Sequence, residues 1–221
     1  MKIGIELNNI VRDINKQLVF YYKRDIVKDF DDENIDMNVI DISKKLKFEK
    51  KKDKFEYMYV DYPYEIFGCA KTTERNLSAN LNNWLIDLSS KKNGKHDICL
   101  FSLKEEALSI QSTYFFLSKI GCRIREMFFP KDGVDMWNKC DVIITTNSRI
   151  ITNKPNGKVV VLINKTDTSK YKSKCDLNYD SLTDLINDKE FISKVEKMIC
   201  KENVSLLKKI SNKIKNIFAN E

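Results

Sequence analysis

Polar residues with the means to do chemistry follow the first apolar run of the sequence. The stretch IGIELNNIVRD, residues 3–13, combines an apolar strand, a turn and an Arg-Asp pair, which is the outline of a phosphotransfer nucleophile loop. Its acid is Glu6, and Asn8 follows two residues later. A carboxylate can act as a nucleophile, but an amide cannot shuttle a proton at neutral pH. The stretch therefore keeps the outline of a reactive loop without a full set of reactive groups.

Further candidates stand at the ends of later apolar runs. They are Ser102 in DICLFS, Lys131 in MFFPKDG, and Thr145 and Thr146 in DVIITT. A serine hydroxyl and a lysine can hold an anion, whereas neutral threonine hydroxyls supply neither the charge nor the affinity that a hard divalent cation needs. Because open α/β sheets place their sites beyond the carboxyl ends of the strands, we expect these residues at one edge of a sheet.

The apolar runs themselves predict the elements that position these residues. Five short runs without clean alternation are typical of strands covered on both faces: residues 2–7, 97–102, 122–129, 141–146 and 158–163. Segments of helical pattern lie between them, such as residues 105–121, which end at Gly121. Strands that alternate with helices indicate a mostly parallel sheet flanked by helices, so the predicted fold class is α/β.

The spacing of the runs predicts three parts. Residues 15–94 separate the first predicted strand from the second, which is more than a crossover needs, so we expect an inserted domain there. Residues 1–14 and 95–189 form the predicted core. Residues 190–221 carry apolar side chains every three or four positions and a basic opposite face, which predicts an amphipathic helical tail. The tail either packs back on its own domain or docks on another subunit or a protein partner.

Composition excludes several classes of protein. The chain has 221 residues, 42% of them hydrophobic, and no run approaches the roughly 18 apolar residues of a membrane span. Its six cysteines are scattered singly, which favours free thiols over a zinc site, and the single histidine, His96, is predicted to be a solvated turn residue. We expect an intracellular protein with no membrane contact. The net charge is +7 and lysines fall in patches, so nucleic-acid binding stays open as the weaker alternative.

Four of these stretches, in chain order, resemble the motifs of the haloacid dehalogenase (HAD) superfamily, particularly its nucleotidase-like members. The first family motif, D-x-D followed by G-V-x-R-D, is matched by ELNNIVRD; the second, a Ser or Thr, by Ser102; the third, a Lys, by Lys131; and the fourth, D-V-x-I-D-D, by DVIITT. The resemblance implies a Rossmannoid sheet with a cap inserted after the first strand. It also implies that Arg12 and Asp13 brace the first loop.

The resemblance also implies which residues have lost their chemistry. In the family the first Asp attacks phosphorus, the second transfers the proton, and the acids of the fourth motif hold magnesium. The four aspartates of the family are replaced at these degenerate positions by Glu6, Asn8, Thr145 and Thr146. Glu6 is one methylene longer than Asp, which displaces its oxygen from in-line geometry. No catalytic residue and no metal or cofactor are therefore expected, while Ser102 and Lys131 remain possible anion-binding residues.

The expected function is that of a catalytically inactive HAD-like protein with a binding or structural role in assembly. Its partner would be another protein or further copies of itself, joined through the C-terminal helix. The Lys/Asn/Ile-rich composition is compatible with a bacteriophage protein, located in the host cytoplasm or the virion; otherwise the protein is cytoplasmic. Two alternatives remain: a HAD-type phosphatase or nucleotidase that needs magnesium and uses Glu6 as a variant nucleophile, and an unrelated α/β protein that matches the motifs by chance.

Overall fold

A computed structural model of the chain describes residues 1–31, 33–48, 51–90 and 96–201. Its centre is a six-stranded, all-parallel sheet in the order β3-β2-β1-β4-β5-β6. The strands are β1 (Lys2–Glu6), β2 (Asp97–Phe101), β3 (Glu126–Phe128), β4 (Val142–Thr145), β5 (Val159–Ile163) and β6 (Leu177–Tyr179). This is the order of a Rossmann-like sheet, and the predicted α/β class with a mostly parallel sheet is confirmed.

Helices connect the strands and cover both faces of the sheet. They are α1 (Ile14–Asp25), α2 (Lys51–Glu56), α3 (Leu77–Ser89), α4 (Leu108–Lys119), α5 (Ser148–Thr152), α6 (Leu182–Asn187) and α7, of which residues 191–201 are described. Within the described residues, the connections also contain 3-10 helices (Ile42–Lys44, Gly133–Asn138, Thr166–Lys174) and π-helical segments (Tyr57–Asp61, Tyr64–Gly68). β5 shows the effect of coverage on both faces most clearly, because all five of its residues, VVVLI, are buried.

Alternate residues of the strands belong to two separate apolar clusters. Ile3 and Ile5 of β1 pack with α3, α4, α6 and α7, whereas Ile143 of β4 and Val160 of β5 pack with α5 and the 3-10 helix Gly133–Asn138. This division follows from the two-residue period of a strand, which sends successive side chains to opposite faces.

Gly4 in the central strand is required by a close approach. A Cβ atom added at Gly4 would stand 2.8 Å from the Sγ atom of Cys140. Cys140 Sγ in turn lies 3.4 Å from Cys99 Sγ, and both side chains are fully buried free thiols. The missing side chain of Gly4 therefore makes room for a pair of core cysteines.

The chain between β1 and α3, called the inserted segment below, has an apolar cluster of its own. Residues from α1, Ile42–Lys44 and the π-helical segments pack around Tyr22 and Phe67. Helix α3 does not share this cluster, because Leu81 and Trp84 pack with the sheet. The structure thus groups α3 with the sheet, whereas the predicted inserted domain of 15–94 included it. The domain limits and the HAD-type cap themselves stay predictions.

Two further regions bear on the predicted organisation. His96 was predicted to be solvated, and this is wrong: it is only 5% exposed, and its Nε2 lies 3.6 Å from the Oε1 atom of Glu196 on α7. The first part of the predicted tail, residues 191–201 of α7, packs on the sheet domain, with Phe191 against Trp84 and Val195 fully buried. Residues 202–221 of that tail lie outside the described residues. None of the helices that the structure describes is long and apolar enough to cross a membrane.

Candidate functional site

The centre of the sheet contains the topological switch point of the fold. From β1 the chain proceeds to β2 on one side, whereas β4, the other neighbour of β1, leads to β5 in the opposite direction. In open α/β sheets the crevice beyond the carboxyl ends of two such strands is where ligands bind. Glu6 ends β1 and Thr145 ends β4. The structure therefore brings three predicted residues, Glu6, Thr145 and Thr146, together at this crevice.

Glu6 is held inside the crevice by the two threonines. Its Oε2 atom accepts a hydrogen bond from Thr145 Oγ1 at 2.6 Å and another from the Thr146 backbone N–H at 3.0 Å, with Thr146 Oγ1 at 3.5 Å. Only 7% of Glu6 is exposed, and burial raises the pKa of its carboxyl, which these hydrogen bonds oppose. The donors are neutral groups, so they replace water without supplying a counter-charge.

A second buried cluster surrounds the guanidinium of Arg12, in the loop after β1. All five N–H donors of the fully buried Arg12 have acceptors. Nε and Nη2 donate to Asn8 Oδ1 at 3.1 and 2.6 Å, and Nη1 donates to Thr113 Oγ1 at 2.5 Å and to the Phe67 carbonyl at 3.3 Å. The remaining donor on Nη2 binds Glu105 Oε1. Arg12 therefore ties its own loop to α4 and to the inserted segment.

Glu105 supplies the counter-charge of this cluster. It is 5% exposed and, besides pairing with Arg12, it accepts hydrogen bonds from the hydroxyls of Ser102 and Thr113. Burial lowers the pKa of Arg12, and the charge of Glu105 opposes that shift. The rings of Phe67 and Phe116 also lie 5.1 and 5.5 Å from the guanidinium carbon, so the cation is stabilised on its faces as well as at its edges.

The other predicted site residues can now be placed. Asn8 binds Arg12, and Ser102 is fully buried with its hydroxyl on Glu105. Lys131 is exposed after β3, and within the described part of the chain it makes no recorded hydrogen bond or ion pair. The structure thus does not join Ser102 and Lys131 in one contact. Sequence reasoning missed Glu105, whose only signal is that a buried arginine needs a carboxylate near it.

The arrangement offers little to a metal ion. Within the described ranges, no group of three or more His, Cys, Asp or Glu side chains could hold one. At the switch point a single carboxylate faces two neutral threonines, whereas magnesium sites use carboxylates and water in octahedral geometry. What the described contacts do is link the end of β1 to the end of β4 through the Oε2 atom of Glu6.

Comparisons with known proteins add no identification. No protein-family model matches this chain, and a search of curated proteins also finds no match. The fold is that of a Rossmann-like α/β protein, and at its switch point the Glu6 carboxyl is hydrogen-bonded to Thr145 and Thr146.

Removing the guanidinium should show how strongly the buried pair constrains the fold. Arg12→Met leaves Glu105 buried without its counter-charge, so we expect a loss of about 3–5 kcal/mol in the free energy of unfolding, measured by urea denaturation. Glu105→Gln in the same background should recover part of that loss. Arg149→Met, which removes a more exposed ion pair with Asp132, is the matched control and should change stability little. An equal effect of the two Arg→Met substitutions would contradict the assigned role.

The raised pKa of Glu6 predicts a pH dependence. Between the ordinary pKa near 4.5 and the raised folded value, the unfolded state loses its proton first, so the stability that Glu6 contributes at low pH declines as pH rises. Glu6→Gln cannot titrate. The stability of wild type relative to Glu6→Gln should therefore fall from pH 4.5 upward, by about 1.4 kcal/mol for each unit by which the pKa is raised. Parallel pH profiles of the two proteins would show that Glu6 is not perturbed; Glu106→Gln, at an exposed site, serves as the control.

Proposed function

We propose that this chain is a catalytically inactive protein of the HAD-like class, nucleotidase-like branch, with a binding or assembly role. One observation carries the proposal: Glu6, at the nucleophile position of the resemblance, accepts hydrogen bonds from Thr145 and Thr146, which occupy the metal positions. The fold supports the assignment at a coarser level, because the sheet is Rossmann-like and a segment with its own apolar cluster follows β1.

The replacement of the nucleophile by Glu6 and the replacement of the metal-binding acids by Thr145 and Thr146 are chemically consistent with each other. A nucleophilic carboxylate and metal-binding carboxylates need magnesium to balance their charge. With threonines in place of the metal acids, the carboxyl of Glu6 gains hydroxyl and amide donors, and burial shifts its pKa toward the neutral form. A carboxyl that is buried, hydrogen-bonded and drawn toward protonation is a poor nucleophile. The crevice is therefore suited to holding β1 against β4, and not to phosphoryl transfer.

The environment of Ser102 also argues against a phosphate at the second motif. Its hydroxyl donates to the buried carboxylate of Glu105. A phosphate placed there would have to displace that carboxylate from the hydroxyl and would meet its negative charge at short range. The Arg12 guanidinium is unavailable as a substitute because all five of its donors are engaged.

An exposed apolar groove supports the assembly role. It lies between the π-helical segments and α4, has a volume of about 310 Å³, and is lined in part by Val60, Tyr64, Leu108 and Phe115, each at least 41% exposed. The rings of Tyr64 and Phe115 are 5.0 Å apart. Exposed apolar surface concentrated in one concave place is typical of an interaction site.

The C-terminal segment of a second copy is the occupant that we propose for this groove. Residues 202–221 repeat apolar side chains at helical spacing and carry four lysines, at positions 208, 209, 213 and 215. The groove is lined by the carboxylates of Asp61 and Glu65. An amphipathic helix with a basic face could pack its apolar side chains in the groove and pair its lysines with the acidic residues that line it. This is the helix-in-groove mode of recognition. The chain would then assemble into homo-oligomers.

A phosphatase assay tests the loss of chemistry. Purified protein with magnesium should not hydrolyse a generic aryl phosphate ester faster than Glu6→Ala does. Hydrolysis that Glu6→Ala abolishes would establish the alternative, a HAD-type phosphatase with Glu6 as its nucleophile. As a positional check, Glu6→Asp, Asn8→Asp, Thr145→Asp and Thr146→Asp combined should create magnesium binding measurable by calorimetry in a variant that remains folded by circular dichroism.

Light scattering tests the assembly. Deletion of residues 202–221 should convert the oligomer into a monomer while leaving α7, whose Phe191 and Val195 are buried, in place. Leu108→Lys, which puts a charge in the groove at a 50% exposed site, should have the same effect. Ile86→Lys on α3, at a 51% exposed site, is the matched control and should remain oligomeric. A wild-type monomer, or an oligomer that survives both changes, would contradict this role.

A further inference from the structure

A polar cleft opens beside the switch-point crevice, at the same carboxyl edge of the sheet. It has a volume of about 180 Å³ and is lined by the start of α1, the inserted segment and the loop after β5: Asn9, Asp13, Asn15, Lys16, Met37, Asn38, Thr73 and Lys165. Neither Glu6 nor the threonines of the crevice line it. The cleft is therefore a separate site, located where open α/β sheets bind ligands.

The walls of this cleft are fixed to one another. The Thr166 N–H donates to the Asn38 carbonyl at 2.8 Å, and the Ile40 N–H donates to Asp167 Oδ1 at 3.0 Å. These bonds join the loop after β5 to the inserted segment. Asn15 Nδ2 also binds the Val39 carbonyl at 2.7 Å, which joins α1 to the same segment. The cleft is thus formed before any ligand enters, as is usual for small-molecule sites.

Most polar side chains around the cleft already have partners. The amide of Asn9 donates to Asn15 Oδ1 at 3.0 Å, and its oxygen accepts from the first N–H groups of α1. The Thr73 hydroxyl donates to the Ile10 carbonyl at 2.5 Å. Asp13 accepts from the Lys16 backbone N–H at 3.2 Å and pairs with the Lys16 ammonium at 2.9 Å. These groups shape the cleft and offer an incoming molecule little unsatisfied bonding capacity.

Lys165 differs from these residues. Its side chain is partly buried, and burial lowers the pKa of its ammonium group, an effect that the charges of Asp13 and Glu74 oppose. Among the residues that the structure describes, the ammonium has no recorded hydrogen bond or ion pair, since Asp13 pairs with Lys16 and Glu74 accepts from the Leu182 N–H at 3.2 Å. Lys165 thus brings up to three N–H donors to the cleft, and a partly buried cation without acceptors is destabilised.

We propose that the cleft binds a small ligand through an anionic oxygen group, a phosphate or a carboxylate, held by the ammonium of Lys165. Such a group would supply the missing acceptors as charge-assisted hydrogen bonds. The modest volume restricts the ligand to one small group or the anionic end of a larger molecule. The inference is independent of the lost phosphotransfer chemistry, because it uses none of the degenerate positions.

Anion titrations of the full chain, followed by two-dimensional NMR of backbone amides, test the proposal. Inorganic phosphate is the probe in one arm and acetate in the other, each at constant ionic strength set with sodium chloride. At least one of them should produce saturable shifts at the amides of Asn38 and Thr166. Lys165→Met should weaken the affinity about tenfold or more, since it removes every charged donor at that point, whereas Lys165→Arg should largely retain it.

Lys172→Met is the matched control, because Lys172 is exposed on the same loop and its loss changes the net charge equally. Its affinity should stay within about twofold of wild type, as expected for an exposed charge partly screened by salt. Binding that survives Lys165→Met, or a lack of saturable shifts with both anions, overturns the proposal. If Lys165→Met does not fold, the rate at which acetic anhydride acetylates Lys165 in the wild-type protein tests the proposal instead. A bound anion should slow the acetylation of Lys165 selectively. Equal acetylation rates with and without the anion overturn the proposal.

Discussion

The buried guanidinium of Arg12 sets the condition that the surrounding structure has to meet. A charged group without contact to water needs an acceptor for every donor and a counter-charge nearby, or it destabilises the fold by several kcal/mol. The acceptors come from the loop after β1, from the inserted segment and from α4, and the counter-charge comes from Glu105 just before α4. One side chain thereby fixes how three distant parts of the chain meet above the carboxyl edge of the sheet.

The buried carboxyl groups of Glu105 and Glu6 near that edge differ in charge balance because their hydrogen-bond partners differ. Glu105 pairs with a cation and two hydroxyls, so its charge is balanced within the protein. Glu6 has only neutral donors, and burial therefore shifts its pKa toward the protonated form. In neither case is a strong, unpaired negative charge left to attract a divalent cation. One strand further along, the partly buried ammonium of Lys165 has no acceptor among the residues that the structure describes.

The main elements of the fold could be predicted because a strand that is buried on both faces appears in the sequence as a continuous apolar run. The run KVVVLI predicted β5 within one residue at its start, whereas β6, three residues long with Asn178 exposed at its centre, contains no such run. The rule on carboxyl ends predicted that Glu6 lies near Thr145 and Thr146, but their hydrogen bonds depend on the register of β1 against β4. The role of Glu105 could not be predicted, because Arg12 needs a carboxylate partner only if it is buried, and Arg12 lies 93 residues away in the sequence.

The way the inserted segment leaves and rejoins the sheet domain has a mechanical consequence. Its two connecting stretches of chain are bonded to each other: the Asp13 N–H donates to the Lys71 carbonyl at 2.8 Å, and the Thr73 N–H donates to the Val11 carbonyl at 3.0 Å. The ammonium of Lys119 on α4 also binds the carbonyls of Gly68 and Ala70, both at 2.8 Å. A hinged lid needs connections whose torsions can change freely. The ladder holds the two connections together, and a swing of the segment away from α4 would have to break both Lys119 bonds, so these contacts oppose a hinge motion of the segment.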